Sequence, residues 1–114
     1  MANFFKGMLR ANSTNYGDLE GPMTGIKKGK KQMPICIEKG KCIAWAVGAD
    51  DVELSKSTVK GIELIASNQV ANDITGGQGQ RFSINVYKIE MKNGQVGTLR
   101  LISGTEYKVL QLIK

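Results

Sequence analysis

Apolar residues follow a period of two along most of the chain and switch to a helical period only at its end. Ile35-Cys36-Ile37 and Cys42 to Val47 flank Glu38-Lys39-Gly40, which predicts a hairpin. A two-residue type I′ turn needs φ > 0 at both central positions, and Lys39 suits that poorly. A three-residue loop with Gly40 in the left-handed region is therefore expected, and it sets Cys36 opposite Cys42. Val52–Leu54 reads as a short strand after a turn at Gly48–Asp51. Ser55–Thr58 then turns the chain into Val59–Ala66, whose apolar residues on both faces predict a central strand.

The clearest hairpin spans residues 82–102, where FSINVYKIEM and VGTLRLI flank Asn93-Gly94. A two-residue loop would set Tyr87 opposite Arg100. A three-residue Lys92-Asn93-Gly94 loop sets Tyr87 opposite Leu99 and Ile89 opposite Gly97. A one-residue slip inverts every side chain, so burial selects the second register. It turns Tyr87, Ile89, Leu99 and Leu101 inward, and Lys88, Glu90, Thr98 and Arg100 outward. A helix follows. Ser103 and Glu106 have capping-box spacing, Ile102 and Tyr107 the spacing of a hydrophobic staple. Val109, Leu110, Leu112 and Ile113 supply an apolar face.

Other stretches carry weaker signals. In residues 1–12, Phe4, Phe5, Met8 and Leu9 fall on one helical face. Twelve residues are marginal as an isolated helix, so the segment needs a surface: its own domain, a second copy, or a membrane. Residues 13–34 read as linker and 67–80 as a long loop, both rich in glycine, amide and hydroxyl residues. The reading is thus a flexible basic segment, 1–33, and a folded β domain with a C-terminal helix, 34–114.

Charge sharpens that division. The net charge is +6. Residues 1–33 hold six bases against two acids, a net of +4; residues 34–114 hold ten against eight. A nucleic-acid domain would spread its charge over the folded face. The anion-binding candidates are Lys27, Lys28, Lys30 and Lys31, suited to phosphates or an anionic membrane surface. No aromatic is interleaved with them, which argues against base stacking.

Catalytic chemistry finds little footing. The chain has no histidine, which removes the commonest general base and most zinc sites. Cys36 and Cys42 read as half-buried strand thiols that stay reduced. Asp50-Asp51 reads as a solvated turn pair more readily than as a cation site. The glycines at 25–29 and 76–79 lack the spacing and the following helix of a phosphate loop. No catalytic, metal or cofactor residue is expected. No apolar run reaches the ~20 residues of a membrane helix, and the first residues lack a secretory pattern; a cytoplasmic protein is expected.

The segment YKIEMKNGQVGTLRLISGTEYKVLQLI, Tyr87 to Ile113, resembles the end of pleckstrin-homology-like (PH-like or GRAM-like) domains of small bacterial proteins. DDVELSKSTVKGIELI, from Asp50, is similar to their short strand leading into a longer one. The resemblance covers residues 34–114. It implies a strongly bent antiparallel sheet or barrel capped by the helix, and a non-enzymatic binding or adaptor role. Seven strands are implied against six readable after residue 34, so a seventh would come from residues 20–33. The first hairpin offers only Lys39 and Lys41, so phosphoinositide recognition does not carry over. The expected partner is a protein or peptide. The alternative is non-specific binding of nucleic acid or an anionic membrane surface, and self-association into a homo-oligomer is compatible with either.

Overall fold

The structure is a computed structural model and describes residues 14–21, 32–46, 49–71 and 82–114. Among these residues seven strands and a helix follow in order: β1 (Gly17–Glu20), β2 (Gln32–Glu38), β3 (Lys41–Ala44), β4 (Val52–Leu54), β5 (Val59–Ala71), β6 (Phe82–Met91), β7 (Val96–Ile102) and α1 (Glu106–Ile113). All strand pairings are antiparallel, in the order β4-β3-β2-β1-β7-β6-β5. The sheet is two meanders, β1 to β4 and β5 to β7, joined where β1 pairs with β7. It curls into a half-barrel with α1 packed on the inner face.

The fold class expected from the sequence, mainly β with a C-terminal helix, is what the chain adopts. Period-two alternation places one residue of each pair inside. Leu19 meets Met33 and Leu99 across the ladders, and all three are fully buried. Ile89 and Leu101 join them, and Val109 and Ile113 of α1 close the same core. In the last hairpin Tyr87 lies opposite Leu99 and Ile89 opposite Gly97, the register of the three-residue loop. Gly94 takes a left-handed φ of 93° there.

Four expectations need correction. Residues 13–34 are not all linker, and the folded part begins before residue 34: Gly17–Glu20 is a strand in the middle of the sheet, and Gln32 and Met33 open β2. With a single aliphatic residue, Leu19, this strand shows no readable alternation. Its place depends on Gly17, whose φ is 145°. A Cβ there would lie 1.9 Å from the Arg100 carbonyl oxygen.

The first hairpin turns through two residues, with Lys39 at φ 51° and Gly40 at φ 77°. Lys39 accepts the left-handed conformation because this register aligns Ile35 and Ile37 with Ala44 and Cys42 on the core face. Cys36 consequently faces Ile43, not Cys42.

The strand from Val59 is neither central nor complete at Ala66. It runs to Ala71 and forms an edge, so residues 67–71 are strand rather than loop. Finally, α1 begins at Glu106 with Thr105 as N-cap and no side-chain cap bond. Ser103 does not cap it; its hydroxyl faces Ser83 Oγ at 3.4 Å. Tyr107, 58% exposed, is not buried by a staple.

Candidate functional site

The sheet has two edges, and they differ. β4 has three residues and β5 has thirteen. A sheet edge presents backbone donors and acceptors to any passing strand, and proteins blunt edges with charges and bulges. β5 carries Lys60 and Glu63, and its register against β6 shifts between Val59 and Gly61, between Leu64 and Ala66, and between Ala66 and Gln69. It nevertheless exposes Leu64 (51%), Ile65 (57%) and Val70 (60%). The register shift after Val59 explains the two-faced apolar pattern. Val59 and Ile62 pair with the inward-facing Met91 and Ile89, while Gly61 pairs with Glu90.

Helix α1 lies on the inner face of the sheet, its first turn bonded to β6 and its last residues near the start of this strand. At one end, Leu64 lies opposite Tyr87. The Tyr87 hydroxyl donates to Glu106 Oε2 at 2.6 Å, and Asn85 Nδ2 donates to Glu106 Oε1 at 2.6 Å. Glu106 thus ties the first helical turn to β6. Burial, and then the bonded Glu106 carboxylate, push the Tyr87 hydroxyl up to about 12. At the other end, Ile113 and Lys114 face the start of β5 across a groove of about 400 Å³. Val59, Gly61, Ile62 and Ile113 line it together with Lys56, Lys60 and Lys114.

A second concavity, about 410 Å³, lies between β4 and the β6–β7 turn, with Asp51, Glu53, Thr58 and Lys92 among its lining residues. Its polar groups serve the turn that closes the curl. Thr58 Oγ1 donates to the Glu53 carbonyl at 2.8 Å, Ser55 Oγ donates to Glu53 Oε2 at 2.8 Å, and Lys92 N–H donates to the Thr58 carbonyl at 2.9 Å. We read it as structural.

Lys27, Lys28, Lys30 and Lys31, the sequence candidates for anion binding, lie outside the described residues, as do Phe4, Phe5, Met8 and Leu9. Asp50 and Asp51 do not gather metal ligands: among the described residues no three His, Cys, Asp or Glu side chains could hold an ion. Cys36 and Cys42 are buried thiols on opposite faces of the sheet, since each pairs with an aliphatic residue one position out of step. Burial, reinforced by Cys36, pushes the Cys42 thiol up to about 12 and makes it a poor nucleophile.

Sequence reasoning missed the exposed aliphatics of β5 because it placed that strand inside the sheet. It also missed the partner of Arg100. Asp18 is fully buried and accepts from Arg100 Nε at 2.9 Å and from its terminal nitrogen at 2.6 Å. The one available signal was an acid beside an aliphatic residue between two glycines, Gly17 to Gly21, which is also linker composition. No family model, curated protein or solved structure matches the chain. No described helix is long and apolar enough to cross a membrane.

Proposed function

We propose that the chain is a PH-like binding module that performs no catalysis and takes a protein or peptide partner as an extended segment along β5. The observation that carries this reading is the thirteen-residue edge strand with three aliphatic residues more than half exposed. Single exposed aliphatics are ordinary, but three of them along an open edge offer main-chain hydrogen bonds together with side-chain contacts. Strand addition uses that combination. The end of α1, at Ile113 and Lys114, adjoins the start of β5. Two meanders ending in a C-terminal helix accord with a PH-like architecture. The proposed setting is the cytoplasm, where Cys36 and Cys42 remain thiols.

The test is selection of a randomised twelve-residue peptide library displayed on phage against the full chain, followed by amide chemical-shift mapping of the selected peptides. Shifts concentrated on Val59–Ala71 and α1 are expected, with binding weakened at least tenfold by Leu64→Lys. A library without binders, or shifts that cluster on β2 and β3, would overturn the proposal.

A further inference from the structure

We infer that the groove between the start of β5 and the end of α1 reads an acidic side chain of the bound segment, so that the preferred ligands are peptides carrying Asp or Glu beside an aliphatic residue. This rests on the peptide reading above and adds the ligand's chemistry to it. Three observations converge on the groove. Val59, Ile62 and Ile113 make part of its lining apolar. Three lysines from three separate places are among its lining residues: Lys56 in the β4–β5 turn, Lys60 on β5 and Lys114 after α1. It is continuous with the edge strand, because Val59 to Ile62 belong to both.

Only part of this charge is compensated locally. Lys60 lies 3.6 Å from Glu90, and both side chains are largely exposed. Lys56 and Lys114 have no acidic partner within 4.0 Å among the described residues. The last turn of a helix adds a partial negative charge of about one half, which Lys56 and Lys114 outweigh once Lys60 is set against Glu90. A carboxylate brought in on an aliphatic backbone of contacts satisfies both the apolar and the basic lining. A polyanion such as nucleic acid would meet the lysines but leave the apolar lining unused. At about 400 Å³ the groove lies near the lower end of ligand sites, which suits a few side chains of an extended peptide.

The same phage library tests this independently of the parent reading. The expected result is enrichment of Asp or Glu at one fixed position next to an aliphatic residue among peptides that map to β5. Replacing that acid by its amide should weaken binding about 3–10-fold, the range of a partly exposed ion pair acting with a neighbour. The variant K56Q/K114Q, which leaves the Lys60–Glu90 contact intact, should weaken the acidic peptide by the same factor and the amide peptide hardly at all. Thermal melting of the variant against the parent verifies the fold. Peptides that map to β5 without an acidic preference would overturn this inference and leave the edge-strand reading standing. So would equal binding of acidic and amide forms by the parent. A library with no binder, or one whose peptides ignore Leu64→Lys, would overturn both.

Discussion

Removing the Asp18 carboxylate should be among the most damaging polar changes available to this chain. Asp18 sits directly opposite Arg100 where the two meanders join, and it is fully buried, while the Arg100 side chain retains 16% of its exposure. The two charges are bound in a fork, Nε to Oδ1 at 2.9 Å and the terminal nitrogen to Oδ2 at 2.6 Å. Deleting one partner of a buried pair costs about 3–5 kcal/mol, because the other charge stays desolvated. The residual exposure of Arg100 lets water reach the guanidinium, which places Asp18→Ala near the lower end, about 3 kcal/mol. At roughly 4 °C per kcal/mol for a domain of this size, Tm should fall by about 12 °C. Urea unfolding of Asp18→Ala, Arg100→Met and the double variant closes a thermodynamic cycle. Replacing both by apolar residues is often close to neutral, so Asp18→Leu with Arg100→Met should recover most of the loss. A loss under about 1 kcal/mol for Asp18→Ala is what a surface pair would give, and it would refute the reasoning.

Three further outcomes follow from the packing. Leu99→Ala should cost about 2–5 kcal/mol and Thr98→Ala about 0.5 kcal/mol or less, since Leu99 is fully buried and its neighbour faces outward; equal losses in urea unfolding would contradict the hairpin register. Gly17→Ala should cost about 3 kcal/mol or more by the same assay, from the clash with the Arg100 carbonyl and the left-handed strain together; a near-neutral variant would contradict the placement of β1. Stability should decline as pH rises from about 9 towards 12. Cys42 and Tyr87 have ordinary values of 9.0 and 10.0 and both are raised to about 12 in the folded chain, so the folded state holds the protons that the unfolded state releases. Melting temperatures that stay level across that interval would contradict it, and Tyr87→Phe should remove the tyrosine's share.

The parts of this fold readable in the sequence are those where pattern and burial coincide. The β6–β7 hairpin has Tyr87, Ile89 and Met91 alternating with Lys88 and Glu90 on one side and Asn93-Gly94 at the turn, and only one register buries Leu99 and Leu101. The helix was legible from Val109, Leu110, Leu112 and Ile113, but its start was not. Glu106 has the spacing of a capping partner for Ser103 and is used instead by Asn85 and Tyr87, residues about twenty positions away. Long-range hydrogen bonds of that kind leave no periodic trace. β1 was hidden for a related reason. Four residues with one aliphatic carry no period, and their place is set by a glycine contact and an ion pair with β7.

The candidate site was illegible because of the same ambiguity that misplaced β5. Apolar residues on both faces of a strand describe a buried central strand and an exposed binding edge equally well, and only the pairing partner separates them. Among the described residues the pairing is one-sided, and it divides β5 in two. Its first residues, Val59 and Ile62, are held by the core beneath Ile113. Leu64, Ile65 and Val70 lie beyond that point and stay more than half exposed, so they contribute little to stability. A strand needed only to finish the sheet would satisfy β6 equally well with threonine or lysine at those positions, and with less risk of aggregation. The rigid start of β5, anchored in the core, positions the exposed continuation and the lysine-lined groove relative to each other. That division of labour is what a binding edge requires: the anchored part sets the register, and the exposed part is available to a second strand.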